Sequence, residues 1–410
     1  MACILAKTIL IISGGIEAVP GIIRAKELGY HVVVADGNPE AAGFKLADDH
    51  IICSTYDAEG MALTAQDYSK QKQQIHGVLS IAADVPLTVS TVAKRLGLVG
   101  HSIETARLSS DKYLMKQRFV EKNIACPWFS MVDDAAHLKA IFESIGSKLV
   151  IKPVDNRGAR GVLLLEKGID LEKAFEHARE NSPTRRVMVE EYLDGPQIST
   201  ESILLDDFAY CPGFSDRNYE MLETTKPYII ENGGNQPSEL SKQEQELICN
   251  ITIEAGRALG VKKGTVKGDI VLTPYGPKVI EIATRLSGGW FCTDQIPLAT
   301  GVDFVGIAIR IALDETIDHT EILPSYQKGV AQRYFFPPPG RLKLIKNLEK
   351  LNCLNGIYKY MIFAKQGDII GQISNHTQRA GFVLSIAQTN SEAVNKAEKA
   401  ISTINFEYYK

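Results

Sequence analysis

The opening stretch of the chain alternates between buried strands and helices, and this alternation constrains the fold more than any other feature of the sequence. Apolar runs at 8–13, 31–35 and 77–82 have the length and composition of buried strands. Segments with helical spacing lie at 18–28 and 86–95, and each stops just before a glycine or within two residues of one. Repetition of strand and helix in this order predicts a parallel, doubly wound α/β sheet.

The turn after the first of these strands lacks the dinucleotide-binding fingerprint. Residues 13–17 read SGGIE, so the glycine spacing differs from GxGxxG, and Glu17 would place a negative charge near a pyrophosphate. Asp36 stands where a ribose-binding acid would end the second strand, but acids are common in turns. These residues argue against a nicotinamide cofactor.

Length and charge narrow the class of protein further. A chain of 410 residues exceeds what one hydrophobic core usually serves, so two or three domains are expected. The formal charge of −4 gives no support to a nucleic-acid partner, and no apolar run reaches the roughly 20 residues of a membrane span. Seven dispersed cysteines without a CxxC pair predict free thiols and a cytoplasmic location.

Beyond residue 109 the pattern becomes a strand, a glycine loop and a second strand with a helix behind them, which is typical of a small lid. Lys152 ends the first of these strands, and the backbone N–H groups of the loop could cradle an anion. The chain has no GK[ST], so the loop is not a Walker A motif, and a plain hairpin turn is the alternative. The predicted elements are strands at 148–153 and 162–165 around the loop 155–161, a helix at 171–180, and strands at 186–193 and 199–205.

The most informative segment is a predicted hairpin at 268–285. Asp269 and Glu281 are equidistant from Tyr275, so we expect them to face each other across the ladder, where like charges repel. A divalent cation would remove that repulsion, and hard carboxylate oxygens suit Mg²⁺, or Mn²⁺ in its place. The alternative is a solvated hairpin face on which Arg285 pairs with Glu281.

The same hairpin carries a cation and a glycine-rich continuation. Alternation along the strand places Ala283 and Arg285 on the face of Glu281, where an arginine could hold a carboxylate or a developing phosphate charge. Two further features precede the hairpin. Lys112 follows a helix cap, and residues 189–195 form a strand whose acids and backbone groups could meet an adenine edge.

Taken in order, these residues resemble the ATP-grasp superfamily. The N-terminal sheet is similar to the pre-ATP-grasp domain of that superfamily, and residues 378–383 with the following helix resemble the C-terminal domain of biotin carboxylase and glycinamide ribonucleotide synthetase relatives. The segment 281–290, EIATRLSGGW, is most similar to the L-amino acid (dipeptide) ligases. The resemblance implies a pre-ATP-grasp domain at 1–108, an ATP-grasp domain at 109–325 with a mobile lid at about 125–202, and a small C-terminal α+β domain at 326–410.

The resemblance also implies roles for individual residues. Glu190 would meet the adenine amino group, and Arg285 and Lys152 would be catalytic. Magnesium would lie on Asp269 and Glu281, although relatives usually have Glu at the first position and often Asn at that of Ala283. The substrate would contact Arg285, Ser287, Gly288, Gly289 and Trp290. The nucleotide would contact Lys112, Lys152, Asn156, Arg157, Gly158, Ala159, Arg160, Gly161, Glu190, Glu191, Tyr192, Leu193 and Gln197.

The function implied is that of an ATP-dependent carboxylate–amine ligase. A small-molecule carboxylate, expected to be an amino acid, would form an acyl phosphate with ATP, and an amine would displace phosphate to give an amide. The alternatives are a biotin-carboxylase-like or glycinamide-ribonucleotide-synthetase-like enzyme, the second of which requires a basic pocket for a phosphate. An alternative of another class is an ATP-binding regulatory protein without turnover. Neither nucleic acid nor a membrane is expected as a partner, and a homodimer is left open.

Overall fold

The computed structural model describes residues 6–409, and the parallel sheet predicted at the start of the chain is confirmed there. Its four strands run parallel in the order β3-β2-β1-β4, and β1 has every residue buried because it lies between two neighbours and beneath helices. The strands are β1 (Thr8–Ile12), β2 (His31–Asp36), β3 (Asp49–Ile52) and β4 (Gly77–Ser80). The helices are α1 (Val19–Glu27), α2 (Ala58–Gln71), α3 (Pro86–Leu96) and α4 (Ile103–Ser110), with a short 3-10 helix at Ala42–Lys45.

The segment predicted as a lid contains an antiparallel sheet of four strands in the order β5-β8-β6-β7. The predicted hairpin around the glycine loop is confirmed as β6 and β7, and two helices, α6 and α7, pack together beside the sheet. The strands are β5 (Phe129–Val132), β6 (Leu149–Pro153), β7 (Leu163–Leu165) and β8 (Val187–Glu191). The helices of this part of the chain are α5 (Lys112–Glu121), α6 (Ala135–Ile145) and α7 (Leu171–Glu180).

The later strands form one antiparallel sheet of eight and a separate sheet of three. The large sheet has the order β13-β12-β9-β10-β11-β14-β18-β16, and the small one has the order β17-β15-β19. The bounds are β9 (Gln197–Leu204), β10 (Ala209–Arg217), β11 (Gly234–Gln236), β12 (Gly264–Thr273), β13 (Gly276–Ala283), β14 (Gly329–Tyr334), β15 (Gly340–Lys346), β16 (Ile357–Ile362), β17 (Ile369–Ile370), β18 (Gly381–Ala387) and β19 (Asn405–Tyr408).

Six α-helices accompany these strands, and the longest of them, α9, packs on β9, β12 and β13. A π-helix at Phe291–Gln295 follows the hairpin of β12 and β13. The α-helices are α8 (Leu222–Thr225), α9 (Lys242–Ala258), α10 (Ile296–Thr300), α11 (Phe304–Ala312), α12 (Leu348–Leu351) and α13 (Asn390–Thr403), and 3-10 helices lie at His319–Ile322 and His376–Gln378.

Strand pairing differs from the sequence interpretation in one respect. The segment predicted as a further strand at 199–205 is present as β9, but it pairs with β10 and β12 in the large sheet, and the fourth lid strand is β5. The large sheet also continues past residue 325, because β14 joins it beside β11. The domain boundaries at 108 and 325, and the lid limits of about 125–202, stay predictions.

Two further expectations can be compared with the described residues. Within 6–409 no helix combines the length and apolar character needed to cross a membrane. The six cysteines in that range are free, as predicted. Residues 1–5 of the predicted first domain, which include Cys3, and residue 410 of the predicted last domain lie outside the described range.

Candidate active site

A cavity of about 700 Å³ lies where the N-terminal sheet, the lid, the large sheet and the C-terminal residues 363–379 meet. Every residue that the sequence assigned to nucleotide, metal or substrate lines this cavity, with the exception of Gly161. Gly161 has a φ of +75°, and a side chain there would come within 2.7 Å of both Asn181 and Pro153. Its role is therefore in the turn of the loop, where a side chain would not fit.

The hairpin of β12 and β13 brings the two predicted acids together. Asp269 pairs with Glu281 in the ladder, as their equal distance from Tyr275 predicted. This pairing depends on a bulge. Residues 270–273 pair in a register that would place Asp269 opposite Ile280, and the extra residue at the bulge moves Glu281 into position.

Asp269 is surrounded by cations. Its Oδ1 accepts a hydrogen bond from Nη1 of Arg217 at 2.8 Å and one from Oγ of Ser199 at 3.2 Å, and its Oδ2 is ion-paired to Lys267. Burial works against ionisation, but the charges of Lys267 and Arg217 outweigh it and hold the pKa of Asp269 well below its usual range. Asp269 is therefore a carboxylate at any physiological pH.

Glu281 has a different partner. Nζ of Lys112 lies 3.1 Å from its Oε1 and also donates to the backbone oxygen of Asn156 at 2.7 Å. Burial alone would lower the pKa of Lys112, but the charge of Glu281 more than compensates and raises it. Lys112 thus links the acid pair to the glycine loop.

Glu190 lies between two buried lysines. Its Oε2 is 3.0 Å from Nζ of Lys116, and its Oε1 is ion-paired to Lys152, all three side chains being at most 4% exposed. Burial would raise the pKa of Glu190, but the two ammonium groups lower it, while burial lowers the pKa of Lys152. Both oxygens lie beside ammonium groups, but Oε2 has no hydrogen-bond partner among residues 6–409, and the contact of Glu190 with an adenine amino group stays a prediction.

The glycine loop is docked on both sides. The guanidinium of Arg157 lies 4.5 Å from the ring centre of Tyr56 and donates to the backbone oxygen of Asp84 at 3.4 Å, both in the N-terminal domain. On the other side the backbone N–H of His376 donates to the oxygen of Gly158 at 3.0 Å. Gly158 and Ala159 have positive φ, which is what turns the loop over the cavity.

The loop after β13 is held by buried acids. Nε of Arg285 lies 3.6 Å from Oδ1 of Asp84, so its nearest acid is in the N-terminal domain and is not Glu281. Ser287 N–H donates to Oε1 of Glu201 at 2.8 Å, and Gly289 N–H donates to Oε2 of Glu17 at 2.7 Å.

Burial shifts the titration of the two acids that hold this loop. It raises the pKa of Glu17, and it raises the pKa of Glu201 to about 7. No ion pair within 4 Å joins either carboxylate to a cation in the part of the chain that the structure describes. Burial therefore favours the protonated form of both acids, whereas neighbouring cations favour the ionised form of Asp269.

Trp290 serves the core and the cavity at once. It is 3% exposed, has a φ of +57°, and its ring centre lies 4.2 Å from that of Phe382, yet it also lines the cavity. The preceding carbonyl, that of Gly289, accepts hydrogen bonds from the side-chain amides of Gln295 at 3.0 Å and Gln332 at 3.1 Å. These bonds fix the loop against the large sheet.

Several residues of the cavity wall received no role of their own from the sequence. Arg217 donates from Nε to Glu231 at 2.8 Å, and Nη1 of Arg379 lies 3.3 Å from the same carboxylate. Burial would raise the pKa of Glu231, but the charge of Arg217 lowers it to about 2. Arg379 also stacks on the ring of Tyr334, 3.3 Å from its centre. These side chains come from three separate parts of the chain, so no local pattern reveals them.

Comparison with protein families places the matches on the same segments. A model of the ATP-grasp domain matches residues 109–289, and a model of the L-amino acid ligase C-terminal domain 2 matches residues 333–409. The uncharacterized protein y4rH of Sinorhizobium fredii is 22% identical over 93% of this chain and 78% of its own length. The D-alanine–D-alanine ligase of Gloeobacter violaceus is 26% identical over 53% of this chain and 73% of its own.

Solved structures share the whole architecture. The L-amino acid ligase from Bacillus licheniformis superposes with a TM-score of 0.82 at 19% identity, covering 98% of this chain and 99% of that one. At this level of identity the likeness shows a common fold.

Proposed function

We propose that this chain is an ATP-grasp ligase of the carboxylate–amine type that joins the carboxylate of an amino acid to an amine, because residues 109–289 match a model of the ATP-grasp domain and residues 333–409 match a model of the L-amino acid ligase C-terminal domain 2. The observation that carries the proposal is the single cavity in which the glycine loop, the acid pair and the loop of Arg285 meet. Each of these parts has a separate task in acyl activation, and each comes from a different element of the fold.

The nucleotide side of the cavity is formed by the lid and α5. Lys112 and Lys152 are the cations that would meet the phosphates, and the backbone of residues 156–160 would cover them. Residues 190–193 and Gln197 would line the base and the ribose. The docked position of the loop would exclude water from the phosphates, which matters because water hydrolyses an acyl phosphate.

The acid pair fits a divalent cation. Asp269 and Glu281 are opposed carboxylates in the cavity wall, and within residues 6–409 no cluster of three or more His, Cys, Asp or Glu side chains is gathered elsewhere as a metal centre. A magnesium or manganese ion there would neutralise charge on the phosphates during transfer. Two protein ligands are few for such an ion, so phosphate oxygens and water would complete its coordination.

The chemistry needs no protein nucleophile. A carboxylate oxygen of the substrate attacks the γ-phosphorus, forming a C–O–P linkage while the bond to ADP breaks. The amine nitrogen then attacks the carbonyl carbon, the C–N bond forms, phosphate leaves, and the nitrogen loses one proton. Arg285, held beside Asp84, would stabilise the negative charge that develops on the carbonyl oxygen.

The arginines on the substrate side bear on the glycinamide-ribonucleotide alternative. Arg217 and Arg379 both pair with Glu231, and Arg217 also pairs with Asp269. Both arginines are thus engaged by carboxylates of the protein, so a ribose phosphate would have to compete with Glu231 and Asp269 for them. This arrangement of paired charges favours an amino acid, which carries one ammonium and one carboxylate group, over a ribose phosphate as the substrate.

The test is a phosphate-release screen of amino acids in pairs, with ATP and Mg²⁺. Release that requires both an acid and an amine, with a product whose mass equals their sum minus water, is the expected result. Glu281→Gln should lower the rate on the order of 100-fold or more, because it removes a metal ligand. Glu246→Gln, at an exposed position of α9, should leave the rate unchanged. Tight ATP binding without release for any pair would contradict the proposal.

Two expectations accompany the function. We propose a cytoplasmic location, which the free thiols support. We also retain a homodimer as a prediction, and sedimentation of the purified chain at two concentrations would decide between monomer and dimer.

A further inference from the structure

The acid pair has a fixed cation beside it that the sequence did not identify. Lys267 stands two residues before Asp269 on β12, so both side chains point to the same face of the strand. Its ammonium is ion-paired to Oδ2 of Asp269, and both residues line the cavity. This lysine is 17% exposed at its side chain, which leaves it within reach of a bound phosphate.

The residue opposite Lys267 makes room for it. In the ladder Lys267 pairs with Ala283, and this is the next pair on the face that carries Asp269 and Glu281. Opposed side chains start about 4.5–5.5 Å apart at Cβ, so a larger residue at 283 would occupy the space that the lysine crosses. These four positions form a square on the cavity wall, with two acids, one ammonium group and one methyl group.

The two acids are not equally available to a metal ion. Both oxygens of Asp269 are engaged, Oδ1 by Arg217 and Ser199 and Oδ2 by Lys267. Glu281 has Lys112 as its single ion-pair partner among residues 6–409, and 27% of its side chain is exposed. Glu281 is therefore the acid that a first divalent ion can reach more readily, whereas a second ion between Asp269 and residue 283 would have to displace Lys267 and would find no further oxygen at Ala283.

We propose that Lys267 takes the place of a second metal ion, so that the ligase works with one divalent cation per bound nucleotide. The ammonium group supplies a single fixed charge beside the transferred phosphoryl group, on the side away from Glu281. This inference rests on the proposed function, because it requires that ATP binds in this cavity. Lys267 is then a catalytic residue that contacts phosphate in place of a second ion.

The experiment is equilibrium dialysis of the full-length protein with Mn²⁺ and a non-hydrolysable ATP analogue. Electron paramagnetic resonance then measures how many Mn²⁺ ions are bound per molecule of analogue. One Mn²⁺ per bound analogue is expected for the wild type. Lys267→Met combined with Ala283→Asn removes the ammonium and adds a carboxamide oxygen, so a second Mn²⁺ should bind at least about tenfold more tightly than to the wild type. The control variant Lys262→Met, at an exposed position, should bind one Mn²⁺ per analogue like the wild type.

The outcomes separate the two proposals. Two Mn²⁺ per analogue in the wild type would overturn the role of Lys267 and leave the ligase proposal standing. Failure to retain the analogue at all would overturn the ligase proposal itself. If the double variant does not fold, the number of Mn²⁺ ions per bound analogue in the wild type decides by itself. The single variant Ala283→Asn keeps Lys267 and is then expected to bind one Mn²⁺ per analogue.

Discussion

At the scale of residues, the cavity is held by buried charges that neutralise one another in short chains. Glu190 joins Lys116 and Lys152, and Glu231 joins Arg217 and Arg379. A buried charge is tolerable only when it is paired, so each central acid should matter more for stability than any surface pair.

Glu190→Gln tests this directly. It removes the only negative charge between two ammonium groups that are buried with it, so the free energy of unfolding should fall by about 3–5 kcal/mol. The neighbouring Glu191→Gln breaks a pair with Lys278 at 3.0 Å that is much more exposed, and should cost about 1 kcal/mol or less. Urea denaturation of both variants provides the measurement, and equal losses would show that the lysine pair does not depend on Glu190.

Glu201 should make stability depend on pH. Its pKa is raised to about 7 by burial, from an ordinary value of 4.5, so folding favours the protonated form. Stability is then fully present below pH 4.5 and is lost as the pH rises toward and through 7. Glu201→Gln keeps the acceptor for the Ser287 N–H and should abolish this loss, which amounts to about 3 kcal/mol.

The measurement for Glu201 is denaturant unfolding of both proteins at pH 5 and pH 8. The wild type should lose stability between the two pH values and the variant should not. Parallel pH curves for the two proteins would show that another group causes the dependence.

Residues that lie within one local pattern could be predicted from the sequence, whereas those joined across the fold could not. The acids of the hairpin and the lysines near the glycine loop belong to such patterns and line the cavity. Arg217 lies only 14 residues from Glu231, but Arg379 joins the same carboxylate across 148 residues, so the cluster of three is not contained in one segment of the sequence. Lys267 could have been found, since it lies on the same strand face as Asp269.

At the scale of elements, strong patterns were predicted well and short ones were not. Helix α7 and hairpin β12–β13 were expected within a few residues of their bounds. Strand β5 was missed because it has four residues of which only one is fully buried, so its apolar pattern is weak. Strand β9 belongs to the large sheet because it pairs with β10 and β12. The sequence of one strand does not determine which other strands it pairs with.

The contact between Arg157 of the glycine loop and Tyr56 can be tested by substitution. Tyr56→Ala removes the ring under Arg157, a contact worth about 1 kcal/mol, so the loop should open about fivefold more often. Tryptic cleavage after Arg157 or Arg160, followed by mass spectrometry, should accelerate accordingly. Tyr56→Phe keeps the aromatic face and should behave like the wild type. Equal acceleration in both variants would locate the effect in the tyrosine hydroxyl.

At the scale of the whole molecule, the eight-stranded sheet unites the ATP-grasp part with residues after 325. Strand β14 separates β11 from β18, and its side chains pack with Trp290 and Ala299 in one apolar cluster. The wall of the cavity and the C-terminal strands are therefore parts of one structural unit.

Expression of residues 1–325 alone tests this unity. The truncated chain should aggregate or lose its cooperative thermal transition, because the cluster of Trp290 becomes exposed and β11 loses a neighbour. Co-expression with residues 326–410 should restore a soluble complex that binds ATP. A stable truncated chain with a sharp transition would show that the sheet is divisible.

The same sheet also sets the order in which the molecule can be assembled during synthesis. The hairpin of β12 and β13 can form once about seven tenths of the chain has emerged, since β13 ends at Ala283. Strands β14 (Gly329–Tyr334) and β18 (Gly381–Ala387) come after it in the chain and complete the apolar cluster around Trp290. The apolar cluster of Trp290 can therefore be completed only after the last strands of this sheet have been synthesised.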